Sequence, residues 1–421
     1  MDQFSINATL AFLQSHTTDD PVKLLLQQDR FPEVDMRYVA QQIEGQRQAM
    51  DKWPTLARFK DIQYPPKLNR EQSSSETTAT YKATLFATPS FTVADLTGGM
   101  GIDTMAFATI ANSVDYVEQD PILAALAEKN FSTLGLTNIR CHCDDSMAWL
   151  TKSDKHFDII YIDPARRDPN GQKMAAFEKC TPNIIEHLDM MLNHCNTLIV
   201  KASPMIDLAL ATQQLGQANA FGKPRAATTQ TLSSPKRENG HCEETNVAQY
   251  IIAVKNECKE VLFAVGKHIA PKTHCINLSS SHADFVFEHE NERNTICPFA
   301  TTIEDYIYEP NAAILKGGGF KCLTERYPVK KFSRNTHLYC STELVTDFPG
   351  RTFRKVKETA LSRKKIQGII PQKSIHIVCR NYPIDAPELM KQLGLKEGGD
   401  QYLIATTFGE RKIGVICERI K

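Results

Sequence analysis

The stretch Phe91-Thr-Val-Ala-Asp-Leu-Thr-Gly-Gly-Met-Gly-Ile-Asp103 decides the fold. An apolar run of strand character ends in an acid, a loop with three glycines follows, and a helical pattern opens behind it. Strand, glycine turn and helix in that order begin a doubly wound sheet, because small residues let the backbone approach a ligand at a helix start. In a dinucleotide fingerprint such glycines face a pyrophosphate, yet Asp95 stands just before them and would repel phosphate. An acid there suits a cationic or amine-bearing ligand.

The alternation continues downstream. Apolar runs predict strands at Val114–Glu118, Ile139–His142, Phe157–Ile162 and Thr197–Lys201, with helices over Asp103–Ala111, Pro121–Leu134 and Pro182–Leu192. That pattern is the signature of an α/β, mostly parallel, doubly wound sheet. Tyr250–Val254 and Val261–Val265 are close enough to form a hairpin. Upstream, residues 1–70 read as a helical N-terminal region, and the Ser-rich run before Glu76 predicts a capped helix to about Leu85. The polar stretch from Gln213 to Asn246 reads as an inserted loop inside a core spanning 71–267. Residues 268–330 form a small connecting α/β region, with a helix expected around Ile303–Leu315. Residues 331–421 form a small α/β module, with a helix at Phe353–Arg363.

Acids fall at successive strand ends. Glu118 lies 20 positions after Gly98, where a carboxylate can hold both hydroxyls of a ribose, and Asp144-Asp145 after the third strand offers an acceptor for an adenine amino group. Adenosine with a cationic, amino-acid-like tail is S-adenosylmethionine, and the ordered set resembles the class I methyltransferase superfamily, with its Rossmann-like core. The resemblance implies cofactor contacts from Asp95, Thr97, Gly98, Gly99, Gly101, Glu118, Asp163 and one of Asp144 or Asp145.

The fourth strand ends in Asp163-Pro-Ala-Arg166, which resembles the Asp-Pro-Pro-aromatic element of amino-group methyltransferases, with Ala165 and Arg166 at the two departures. In that family the acid and the following carbonyl accept from an exocyclic amine, so Asp163 and Arg166 are the candidate catalytic residues. A guanidinium can stack on a base or pair with phosphate; a plain ion pair with Asp168 or Glu178 is the other reading of Arg166. The motif also resembles that of RNA 5-methyluridine enzymes, but those need a cysteine nucleophile after the next strand. Lys201-Ala-Ser-Pro204 stands there, and Cys195 lies at the wrong end. Nitrogen methylation is therefore favoured over C5 methylation.

Glu71-Gln-Ser-Ser-Ser-Glu-Thr-Thr-Ala-Thr-Tyr-Lys82, Asp163–Arg167, Lys201–Pro204, Glu257-Cys-Lys259 and Tyr308-Glu-Pro-Asn-Ala312 together resemble a bacterial methyltransferase family with a THUMP-like C-terminal domain. That likeness implies an RNA substrate, tRNA or rRNA. Charge gives separate support: the chain has zero formal net charge, but Lys321–Arg380 holds 14 Lys/Arg against four acids, a local +10. Interleaved Phe332, Tyr339 and Phe353 suit stacking on bases; a solvated basic face is the bland alternative. A cofactor-binding RNA adaptor without transfer, and a methyltransferase for protein or small molecules, are the competing functions.

Composition excludes other classes. No run of 18 uncharged apolar residues appears, so no membrane span is expected, and the N-terminus lacks a secretory pattern. A cytoplasmic location follows. The twelve cysteines are scattered, with one close pair at Cys141 and Cys143, so no metal is expected.

Overall fold

The computed structural model describes residues 3–166, 177–217, 245–278, 280 and 283–420. The chain divides into two units, Met1–Val247 with Phe263–Ile269, and Ala248–Leu262 with Ala270–Lys421. Most of the expected 213–246 loop lies outside the described residues, but its first positions close a helix over Leu208–Gly216, and Asn246 opens a strand.

In the first unit, helix Met36–Lys52 is capped by Asp35, whose side chain accepts from the Tyr38 N–H at 2.9 Å. Val39, Ala40, Ile43 and Ala49 form its buried stripe. It stops at Trp53, ahead of Pro54, and the fully buried Trp53 indole donates to the Ser74 carbonyl at 2.7 Å. One apolar cluster joins Trp53, Leu56 and Tyr64 to Met100, Tyr116 and Phe131, so the N-terminal region packs onto the glycine loop. The Ser75 cap of helix Glu76–Leu85 accepts from Thr78 N–H, as the Ser-rich run predicts.

The sheet of this unit contains β1 (Thr92–Asp95), β2 (Ser113–Glu118), β3 (Ile139–Cys143) and β4 (Phe157–Ile162). A two-residue ribbon follows, β5 (Ala165–Arg166) with β6 (Cys180–Thr181), and then β7 (Cys195–Ala202). The order β7-β4-β1-β2-β3 is parallel throughout. The order reverses between β1 and β4, and in such sheets ligands bind in the crevice beyond the strands' carboxyl ends at that point.

β8 (Asn246–Val254) and β9 (Glu257–Gly266) form the expected hairpin. Its two turn residues, Lys255 and Asn256, sit at φ 52° and 61°, as a tight primed turn requires. In the second unit β8 pairs in parallel with β10 (Thr273–Asn277), which pairs antiparallel with β11 (Phe285–Phe287). A second sheet contains β12 (Tyr306–Pro310), β13 (Lys330–Ser333), β14 (Thr336–Ser341), β15 (Gly350–Thr359), β16 (His376–Arg380), β17 (Gln401–Phe408) and β18 (Arg411–Arg419). Its order is β13-β14-β12-β15-β18-β17-β16. Ile404 and Val415 face one apolar cluster while Leu403 and Ile416 face another, so the strands alternate between two covered faces.

Two helices expected from spacing are strand over much of their length. Phe353–Arg363 begins inside β15, paired on both sides by β12 and β18. A register shift between Lys355 and Lys357 breaks the two-residue alternation, so Phe353 and Val356 fall at a spacing that mimics a helix. Around Ile303–Leu315, Tyr306–Pro310 is strand, and the helix starts only after Asn311, which caps Ala312–Gly317. No helix among the described residues is long and apolar enough to cross a membrane.

Candidate active site

The carboxyl ends of β1, β2, β3 and β4 bring Asp95, Glu118, Asp144 and Asp163 to one edge of the first unit. Glycine serves here chiefly for packing. A Cβ on Gly98 would lie 2.1 Å from the Tyr116 ring, and one on Gly101, at φ 86°, would lie 2.6 Å from the Phe131 ring. Gly99 alone opens to space, with only the Thr97 carbonyl within 4 Å. Gly98 and Gly101 thus leave room for aromatic rings where a side chain would stand, and Gly99 leaves its side-chain position open.

Asp95 is also an internal residue, 1% exposed. It accepts from Thr104 Oγ1 at 2.6 Å and from the Thr97 N–H at 3.2 Å, tying the strand end to the loop and the next helix. Burial pushes its carboxyl up to about 7, with the negative charges of Asp103 and Asp163 adding to the effect. Its two hydrogen bonds thus engage Asp95 inside the loop rather than at the open edge of the crevice.

Glu118 is held by two backbone donors, Gly99 N–H and Asp120 N–H, each at 2.9 Å on a different oxygen. The carboxylate is fixed in direction and keeps acceptor capacity on both oxygens. Asp144 and Asp145 separate in role. Asp145 is the N-cap of helix Ser146–Lys152, its Oδ1 accepting from Met147 and Ala148. Asp144 accepts from the Asp145 N–H and reaches Lys152 at 3.4 Å, with its side chain 39% exposed.

Asp163 lies at the topological switch point. Its N–H donates to Thr97 Oγ1 at 2.7 Å, which gives Thr97 its place in the site. Its carboxylate takes the Lys201 ammonium at 2.6 Å and stays about one-third exposed. The backbone of Arg166 continues into the short ribbon with Cys180, while Arg167 and Asp168 lie outside the described residues.

Lys201 belongs to a network that the sequence reading did not assemble. Its ammonium also donates to Ser74 Oγ at 3.1 Å. The fully buried Lys82 donates to the same oxygen at 2.8 Å and pairs with Asp103 at 2.8 Å, and Ser74 Oγ donates to Asp103 at 2.7 Å. Tyr161 Oη donates to Asp103 as well. Burial alone would raise the Asp103 carboxyl, but Lys82, Lys201 and these hydrogen bonds hold it down at about 2. Two ammoniums and two carboxylates thus interlock the N-terminal segment, the glycine-loop helix and the ends of β4 and β7. Ser74, Lys82 and Lys201 fall in two of the five stretches that carry the family likeness, Glu71–Lys82 and Lys201–Pro204, although no local spacing joins them. Cys195, at the start of β7, is buried and its thiol is pushed up to about 12, which removes it as a nucleophile.

In the second unit much of the basic segment is used internally. Arg351 and Arg380 share the buried Glu309, Arg354 pairs with Glu418, and Lys330 pairs with Glu304. Lys357, Arg363, Lys364, Lys365 and Lys373 are exposed and have no acidic partner among the described residues. Phe332, Tyr339 and Phe353 are buried on inward strand positions, which corrects the expectation that they stack on bases. Among the described residues no group of three or more acids, histidines and cysteines could hold a metal.

Residues 66–188 match the family described as "Putative SAM-dependent methyltransferase", residues 306–349 a ferredoxin-like domain, and residues 350–419 a THUMP domain-like family. Over its whole length the chain is similar to a crystal structure from Porphyromonas gingivalis W83 described as a "putative methyltransferase", with 28% identity, a TM-score of 0.83 and both chains fully covered. Ribosomal RNA small subunit methyltransferase J of Hydrogenovibrio crunogenus is 32% identical over 99 residues, 21% of this chain and 35% of that protein. The protein of the same name from Vibrio vulnificus is 30% identical over 150 residues, 31% of this chain and 52% of that protein. The chain thus spans about a third to a half of these relatives' length. The first unit has the Rossmann-like methyltransferase core, and the second carries a small α/β THUMP-like module.

Proposed function

We propose that this chain is an S-adenosylmethionine-dependent methyltransferase of the cytoplasm that acts on a base nitrogen of a structured RNA, ribosomal or transfer. The observation that carries this reading is Asp163: a partly exposed carboxyl group at the switch point of a methyltransferase-type sheet, fixed by Lys201 and by Thr97. The relatives' names as small-subunit ribosomal RNA methyltransferases favour RNA, as do the five exposed cations of the THUMP-like module that have no acidic partner among the described residues.

The donor set fits the cofactor. Glu118, pinned by two backbone N–H groups, would take the ribose hydroxyls. Asp144 would take the adenine amino group, because Asp145 is engaged as a helix cap. When bound, the cofactor supplies a sulfonium-activated methyl group. Asp163 accepts a hydrogen bond from the exocyclic amine of the target base and so directs the nitrogen lone pair. Lys201 holds that carboxylate in one orientation, and the proton shed by the amine leaves to solvent along the exposed side of Asp163. Arg166 holds the base or an adjacent phosphate. Without a thiol at Lys201–Pro204, attack through a cysteine on C6 of a pyrimidine is absent from this scheme.

The test is transfer of labelled methyl to total RNA, followed by mass spectrometry of its nucleosides. Label in an N-methylated base, lost by about 100-fold or more in Asp163→Ala with cofactor binding retained, is the expected result. Label in protein alone, or unchanged turnover in the variant, refutes the reading.

A further inference from the structure

Lys52 closes helix Met36–Lys52 and is one residue from the buried Trp53. Its ammonium donates to the carbonyls of Arg70, at 2.7 Å, and Glu71, at 3.2 Å. An ammonium has three donors, so one remains. Among the described residues no carboxylate comes within ion-pairing distance of it. The place of this cation is set by the next turn of chain. Ser73 Oγ donates to the same Arg70 carbonyl at 3.0 Å and lies 4.0 Å from the Met100 sulfur, inside the glycine loop. Ser74, the next residue, receives Lys201. Lys52 and Lys201 therefore flank the Ser73–Ser74 turn beside the loop. Burial and the nearby Lys201 charge bring the Lys52 ammonium down to about 8, against a weaker opposing pull from Glu71.

A half-buried ammonium held by two backbone carbonyls and lying 5.0 Å from the centre of the Trp53 ring, with a like charge close by and no carboxylate paired to it among the described residues, gains free energy from an anion in the same place. The position narrows the anion. It adjoins the glycine loop, where the amino-acid end of the cofactor belongs, and that end carries one carboxylate. We infer that Lys52 takes the α-carboxylate of the cofactor's methionine end, at the Ser73–Ser74 turn. This rests on the cofactor reading above and adds to it a contact from the N-terminal helical region. It also gives that region a role in the site that the glycine-loop pattern leaves out.

The experiment is calorimetric binding to the full chain of three compounds: S-adenosylhomocysteine, its decarboxylated amine analogue, and 5′-methylthioadenosine. The wild type is expected to bind S-adenosylhomocysteine at least tenfold more tightly than the decarboxylated analogue. Lys52→Met should weaken S-adenosylhomocysteine by about tenfold, the worth of one charge-assisted hydrogen bond, and leave the decarboxylated analogue within about twofold. Lys52→Arg should recover most of the loss. Equal weakening of both ligands by Lys52→Met would overturn the inference, since Lys52 would then only hold the Arg70–Glu71 segment. Equal binding of both ligands by the wild type would overturn it without any variant. Failure of the wild type to bind all three compounds would sink the cofactor reading itself, and this inference with it.

Discussion

Replacing Asp95 by Asn separates stability from cofactor binding at the floor of the crevice. The carboxyl is 1% exposed, and burial together with Asp103 and Asp163 moves it from 3.8 to about 7. The folded chain therefore holds a proton on Asp95 that the unfolded chain has lost, between about pH 4 and pH 7. By linkage, stability falls as pH rises through that window and stays lower above it. The full effect is roughly 4 kcal/mol at most, of which roughly 2–3 kcal/mol falls between pH 5 and pH 8. Asn carries no charge and can accept the Thr97 N–H, while the Thr104 hydroxyl can turn to accept from its amide. Asp95→Asn is thus expected to gain on the wild type by roughly 2–3 kcal/mol between pH 5 and pH 8, read as the pH dependence of the urea midpoint difference. The same variant should bind S-adenosylhomocysteine several-fold more weakly at pH 8, because its field no longer favours the ammonium. A stability difference that stays constant from pH 5 to pH 8 would refute the assignment of the raised carboxyl to Asp95.

Three other outcomes follow from the same geometry. Gly98→Ala would place a Cβ 2.1 Å from a Tyr116 ring whose hydroxyl is tied to the Gly99 carbonyl at 2.7 Å, so a loss of about 1–3 kcal/mol in chemical denaturation is expected; a loss below about 0.5 kcal/mol would show that the ring moves freely. Lys201→Met should lower kcat about 100-fold while S-adenosylhomocysteine affinity holds, and a fall confined to KM for the cofactor would place Lys201 elsewhere in the mechanism. Changing Arg363, Lys364 and Lys365 together to Gln should reduce the slope of log affinity for RNA against log salt by about 2–3, with kcat at saturating RNA unchanged; an unaltered slope removes this surface from RNA binding.

How far the fold can be read from the sequence depends on whether period and pairing agree. In the first unit they do: β1, β4 and β7 fall where the apolar runs lie, because a central parallel strand is apolar along most of its length and leaves little phase to mistake, and β2 and the edge strand β3 follow from the regular alternation with the helices between them. In β15 they disagree. Its bulge changes the phase at Lys355–Lys357, and only the neighbours β12 and β18, roughly 45 residues before and 60 after, decide that the segment is extended. Tyr306–Pro310 fails for the same reason, with both its partners downstream.

The site divides along a similar line. Residue types at strand ends locate Glu118, Asp144 and Asp163, since the chemistry of a crevice is carried by what stands where strands stop. What each residue faces is a separate matter. Asp95 and Gly98 occupy the predicted positions yet face inward, toward Thr104 and Tyr116, and Asp145 caps its own helix. Conversely Ser74, Lys82, Asp103 and Lys201 carry no local pattern of a site. Ser74 and Lys201 meet across 127 residues, and each ammonium is tolerable in the interior because a carboxylate pairs with it, Lys82 with Asp103 and Lys201 with Asp163. Removing one member of a pair would leave its partner's charge without a counter-ion. The prediction for Lys201→Met is therefore sharper than one for an isolated ion pair. It should disturb Asp163 directly and Ser74 through the shared hydrogen bond, and Lys82 with Asp103 should remain as a self-sufficient pair that keeps the loop folded.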